Sequence, residues 1–208
     1  MRIKTLVAAM AAVASLAPIA AQAQSSSENP WMVRVRAAYL DWTNGQTETV
    51  QSANITARKQ MIPEFDISYF FTKNIAAELV LTYPQTVTIN AGSNSIGTVK
   101  ALPPSLLLQY HFTDFAGYKP YVGAGLNYTQ ITAEKISAGG GTNNVTLSDK
   151  SVGGALQAGV DIPLTKQVSL NIDVKKVYLK THVYVGGADG GTLKLDPVLF
   201  GVGVGYRF

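Results

Sequence analysis

The chain predicts an all-β protein, an eight-stranded antiparallel transmembrane β-barrel with both termini periplasmic. Eight stretches alternate apolar and polar residues with period two, and the connections between them are alternately long and short. In the closing stretch, residues 198–208, Val198, Phe200, Val202, Val204, Tyr206 and Phe208 share one face while Leu199, Gly201, Gly203, Gly205 and Arg207 share the other. A soluble sandwich would also alternate along its strands, but it has no reason to alternate its loop lengths.

Arg2 and Lys4 precede an apolar stretch, residues 6–21, that ends in Ala21-Gln22-Ala23. This is the pattern of a secretory signal peptide, expected to be cleaved after Ala23, so residues 1–23 are excluded from the fold and 24–208 form a single barrel domain. The strands are expected at residues 31–42, 59–71, 75–89, 96–112, 121–131, 150–164, 168–185 and 192–208. Connections 72–74, 113–120 and 163–167 are short and turn-like, while 43–58, 91–95, 132–149 and 186–191 are mostly longer and rich in Gly, Asn, Ser and Thr. Long surface loops and tight periplasmic turns produce this alternation, which puts the first, third, fifth and seventh connections outside.

Each strand keeps one apolar face, such as Val33, Val35, Ala37 and Tyr39 on the first and Phe65, Ile67, Tyr69 and Phe71 on the second. Tyr and Phe gather at the ends of these sets, where the two membrane interfaces would lie. The opposite faces carry Arg34, Arg36, Glu64, Asp66, Glu78, Asp161, Asp173, Lys175 and Arg207, mostly near the short turns. Eight strands enclose room only for side chains or one small ligand, and charges away from bulk water must pair. An ion-pair plug of the lower lumen follows, with Gly201, Gly203 and Gly205 leaving space beside Arg34 and Arg36.

Higher on the strands the inward positions turn apolar: Leu40, Leu107, Val177, Leu179 and Leu199, with Pro197. They form either a path for a hydrophobic ligand above the plugged base or packing for strand extensions beyond the membrane. Proline cannot donate to a ladder. Pro63 is expected to interrupt the second strand, Pro84 the third, Pro103 and Pro104 the fourth and Pro197 the eighth. Counted from a hairpin tip at Ser93-Asn94, Pro84 and Pro103-Pro104 fall opposite one another beyond Tyr83. Pro63, Pro84, Pro103 and Pro104 thus mark either a lateral opening in the wall or bulges that shape the barrel mouth.

The composition removes other classes. The chain has 17 Lys and Arg against 13 Asp and Glu, but no basic run, so nucleic acid is not an expected partner. With no cysteine there is neither a disulfide staple nor a thiol nucleophile. His111 and His182 fall near opposite ends of the barrel, so no metal site or catalytic base is expected, and no enzyme or cofactor. The G-V-G-V-G run at 201–205 lies within a strand with no helix following, which removes a dinucleotide loop.

Several motifs occur in one order along the chain: L-P-P-S-L-L-L-Q-Y-H-F (102–112), K-P-Y-V-G-A-G-L-N-Y-T (119–129), Q-A-G-V-D (157–161) and L-D-P-V-L-F-G-V-G-V-G-Y-R-F (195–208), with a weaker N-I-A-A-E-L (74–79). In these the chain resembles the outer membrane protein W family, which includes alkane-uptake proteins. The resemblance implies an outer-membrane barrel with a hydrophobic lumen, giving small hydrophobic molecules a passive path with lateral release into the bilayer. Outer-membrane lipid and the solute are then partners, and Tyr206 and Phe208 look like the signal read by the barrel-insertion machinery. The alternative is a structural or adhesive barrel whose outer loops serve as receptor sites for a phage or toxin. One departure is Lys175-Lys176, where relatives look more apolar. Lys175 makes this lumen more polar, and Lys176, on the lipid-facing parity, must snorkel or find a partner.

Overall fold

The computed structural model describes residues 29–43, 45–46, 55–113, 115–136, 145–185 and 187–208. The expected signal peptide, 1–23, lies outside the described residues, as do parts of the long connections 43–58 and 132–149.

The described strands are β1 (Trp31–Asp41), β2 (Gly45–Gln46), β3 (Ile55–Ala57), β4 (Gln60–Phe70), β5 (Ile75–Thr82), β6 (Gln85–Ala91), β7 (Asn94–Leu102), β8 (Ser105–His111), β9 (Lys119–Ile136), β10 (Val145–Leu147), β11 (Lys150–Pro163), β12 (Val168–Val177), β13 (Lys180–Val185), β14 (Ala188–Lys194) and β15 (Val198–Arg207). Eight of them, β1, β4, β5, β8, β9, β11, β12 and β15, pair antiparallel in a closed ring. Ten rungs from Met32↔Arg207 to Asp41↔Val198 join its first and last strands. Above the ring, β3, β6, β7 and the upper part of β9 extend one side of the wall, while β10, β13, β14 and β2 form a separate four-stranded sheet.

Four expected strands are each split in two. The third breaks at Tyr83-Pro84, the fourth at Pro103-Pro104, the seventh at Tyr178-Leu179 and the eighth between Lys194 and Val198. Missing proline donors account for the third and fourth, while Pro197 and a left-handed Asp196 (φ 32°) account for the eighth. The second strand corrects the sequence reading, because β4 runs unbroken through Pro63, which pairs with Ala37. At the end of β4, an odd number of residues from Pro63, the Phe70 N–H points toward the β1 side, where it meets the Pro30 carbonyl. Alternation therefore turns the Pro63 nitrogen toward the third strand, whose ladder with β4 ends at Glu64↔Thr82, so no rung is lost. Two of the connections expected to face outward are tighter than expected. Gly92 (φ 59°) and Ser93 close the β6–β7 hairpin, one position earlier than the expected tip, and β13 and β14 pair up to Val185↔Ala188.

Burial is inside-out relative to a soluble protein. Val152, Leu126 and Leu108 are 72%, 66% and 60% exposed, whereas Arg34, Asp66 and Glu78 are fully buried. The exposed apolar belt is edged by rings: Trp31, Tyr69 and Phe71 touch edge-to-face near the short turns, as do Tyr110 and Phe112, and Tyr206 stacks on Phe208. Tyr39, Tyr83, Tyr128 and Tyr178 stand exposed at the other edge. A belt of this kind between aromatic girdles is stable only against lipid.

Candidate functional site

The lumen is built in three layers. At the base, Arg207 lies over the Phe70 ring at 4.1 Å, Phe70 contacts His111, and His111 stacks on Tyr121 at 4.9 Å. The Arg207 Nε also donates to the Asn29 carbonyl at 2.7 Å. Arg207, grouped from the sequence with the ion-pair plug, thus sits at the end of β15 over this ring stack.

The middle layer is ionic. Arg34 and Arg36 are successive inward residues of β1, directly opposite Asp66 and Glu64 of β4 on one side and Gly205 and Gly203 of β15 on the other. Arg34 donates to both oxygens of Asp161, at 3.1 and 2.7 Å, and its Nη1 reaches Asp66, Ser68 and Glu78 at 3.2, 2.8 and 3.0 Å. Arg36 lies 2.9 Å from Glu64 and 2.6 Å from Asp66, contacts that are ionic in character because Nε and Nη2 are off the hydrogen-bond line. Its Nη1 donates to Asn171 Oδ1 at 3.1 Å and lies 3.7 Å from Asp173. Across the lumen Lys175 donates to both oxygens of Glu64 at 3.0 Å. The bare glycines of β15 make room. A Cβ on Gly203 would meet the Val35 carbonyl and Arg36 Cγ, and one on Gly205 would come within 3.2 Å of Arg34 Cγ.

Neutral residues complete this layer, and sequence reasoning left several out of the site. Gln157 Nε2 donates to both Glu78 and Asp173 at 2.8 Å each, and Gln157 Oε1 accepts from Gln109 Nε2 at 2.9 Å. The Tyr121 hydroxyl donates to Asp173 at 3.1 Å and accepts from Asn171 at 3.0 Å. Gly159, its cross-strand partner, leaves room for the ring, since a Cβ there would meet it at 2.5 Å. Strand parity held the signal for Tyr121, because Val122 beside it faces outward.

The upper layer is an apolar cluster that contains Leu40, Leu107, Val177, Leu179 and Leu199. All but Leu107 line a cavity of about 40 Å³ whose floor is the Lys175–Glu64 pair and whose walls include Ile62, Val80, Val87, Pro103 and Pro197. Thr82, Gln85, Ser105 and Thr129 give the same cavity a polar side.

Beside this cavity the wall lacks rungs. The second and third barrel walls pair below Glu64↔Thr82 and again from Arg58 N–H to Thr88 C=O upward, leaving residues 59–63 and 83–87 without a ladder between them. That is about 16 Å of seam at ordinary strand rise. On the other flank, the β5–β8 ladder stops at Val80↔Ser105 and the β6–β7 ladder resumes at Gln85↔Ala101. Tyr83 and Pro84 are thus unpaired on both sides, and the register brings Pro63, Pro84, Pro103 and Pro104 to the edges of these two gaps. The Pro103 and Pro104 carbonyls accept from Asn127 Nδ2 at 3.2 and 3.1 Å, and Pro104 also accepts from the Tyr128 N–H at 3.0 Å. The break between β14 and β15 opens no such seam, because the Leu179 carbonyl receives the Leu195 and Asp196 N–H groups. Lys176 helps there, donating to Thr43 Oγ1 at 2.8 Å and to the Asp196 carbonyl.

Comparison with known proteins agrees with this architecture. The OmpW family model matches residues 28–208. The uncharacterized outer-membrane protein y4mB of Sinorhizobium fredii is 43% identical over 86% of this chain and 80% of its own length. Outer membrane protein W of Escherichia coli is 32% identical over 99% of this chain and all of its own. Among solved structures, AlkL in DMPC bilayers superposes with a TM-score of 0.67 at 22% identity, covering 90% of this chain and 94% of that one, a likeness of fold.

Proposed function

Because the chain belongs to the OmpW family of barrels in the bacterial outer membrane, we propose that it gives small hydrophobic molecules a passive path into the bilayer, entering the upper lumen and leaving sideways past Tyr83 and Pro84. The carrying observation is that the apolar cavity borders the unladdered seam: Ile62, Thr82, Gln85 and Pro103 line the one and flank the other. The ionic layer beneath acts as a floor, since a solute moving straight down would have to separate buried ion pairs, each breakage costing about 3–5 kcal/mol. Parting a seam that already lacks backbone hydrogen bonds costs far less.

In this reading both termini and the short turns face the periplasm, residues 1–23 direct export, and Tyr206 and Phe208 present the signal for barrel insertion. At about 40 Å³ the cavity admits only a few water-sized groups in its present conformation, so passage requires the Tyr83-Pro84 segment to swing outward. The same narrowness favours a second reading, a barrel whose outer connections serve as receptor sites without transport. Permeation of apolar and polar solutes into barrel-loaded vesicles separates the two: the path requires apolar flux above that of empty vesicles. Equal, negligible flux for both solutes would leave only the receptor reading.

A further inference from the structure

The polar side of the upper cavity is uneven in a way that bears on what it holds. Gln85 Nε2 donates to the Tyr83 carbonyl at 2.7 Å, Ser105 Oγ accepts from Asn127 at 2.9 Å, and Thr129 Oγ1 donates to Asn127 Oδ1 at 2.6 Å. Thr82 has no counterpart, for its Oγ1 is buried and without a hydrogen-bond partner. A hydroxyl in this state is a standing cost that an incoming oxygen removes, and a pure hydrocarbon leaves it in place. Thr82 also forms the last rung below the open seam, opposite Glu64, so a solute turning toward lipid passes it.

The charged floor narrows the class further. Lys175 at the cavity floor opposes an ammonium head. With Arg34 and Arg36, it faces five buried carboxylates, Glu64, Asp66, Glu78, Asp161 and Asp173, so the floor opposes an anionic head as well. A neutral oxygen meets neither objection. Resting on the passage reading above, we propose that the upper-lumen cavity selects small apolar molecules bearing one neutral oxygen, a hydroxyl or carbonyl, over the parent hydrocarbon. The oxygen engages Thr82 Oγ1, and the apolar tail lies along Leu40, Val177, Leu179 and Leu199.

The test is a titration of the full-length barrel in lipid nanodiscs with hexane, hexan-1-ol and hexanoate, followed by amide chemical shifts of the cavity strands. Wild type and the variants Thr82→Val and Thr82→Ser are compared in the same lipid, so partition into the bilayer cancels. The hexanol-to-hexane affinity ratio is expected to fall about three- to tenfold in Thr82→Val, the worth of one net hydrogen bond, and to persist in Thr82→Ser. Hexanoate is expected to bind more weakly than hexanol. A ratio unchanged by Thr82→Val, or hexanoate binding best, overturns the selectivity while leaving an apolar cavity in place. Absence of any shift at cavity residues with hexane and hexanol alike overturns the passage reading and this inference together.

Discussion

Arg34 and Leu40 stand on the same face of the same strand, six residues apart, yet they belong to unlike interiors. Around Arg34 almost every inward side chain is polar, fully buried and tied to several partners at distances between 2.7 and 3.2 Å. Around Leu40 most inward side chains are apolar and packed without directional bonds, with polar residues on one side only, and they leave a cavity. An ionic interior is held by geometry, so a displaced atom strands a charge. An apolar interior is held by area and volume, so a side chain can shift with little loss. The lower half therefore fixes the barrel, and the upper half is the part that can open.

The largest way to break this contrast is Arg34→Met. It leaves Asp161 buried without its cation and Asp66 and Glu78 with Arg36 alone, and is expected to cost about 3–5 kcal/mol, read as loss of the heat-modifiable folded band on a gel. Gly203→Leu comes next. Its side chain would collide with Arg36 and the Val35 carbonyl, so assembly should suffer by about 1–3 kcal/mol or more, and a normal folded band would count against the packing described. Leu199→Gln probes the other half, with the folded band retained and apolar flux lowered roughly three- to tenfold by an amide on the path. Unchanged flux would remove Leu199 from that path. Lys59→Met should do the least, because the Lys59–Asp41 pair at 2.8 Å is exposed. Its melting and flux are expected to match wild type, and a clear loss of either would show that the rim pair is coupled to the seam.

Strand number, lumen polarity and ring closure were legible because period-two alternation reports which face a residue takes, whatever its neighbours do. Alternation fails where the chain breaks. Counting through Tyr83 and Pro84 puts Gln85 outside, but both of those residues are exposed and Gln85 returns inward, so the polar side of the cavity was hidden. Arg207 has the expected parity, but parity carries no information about depth, and the residue sits at the strand end over Phe70. Pro63 misled for a different reason. A proline interrupts a ladder only if its nitrogen faces a paired neighbour, and that depends on register. Tyr121 was overlooked because an aromatic residue in an apolar run reads as part of the lipid belt until its glycine partner, Gly159, is known.

The seam between β1 and β15 carries a consequence for how the protein is made. Its rungs join residues as far apart as Met32 and Arg207, so the ladder that closes the ring is also the one with the greatest separation along the chain. Contacts of such separation form late and slowly. Until they form, β1 and β15 each present a bare edge, which hydrocarbon cannot satisfy. Arg34 and Arg36 sit on the β1 edge, so half-made barrels would hold their densest charge beside an unsealed wall. Ring closure and charge burial are then one event, and a barrel stalled before β15 docks has no stable place in the bilayer.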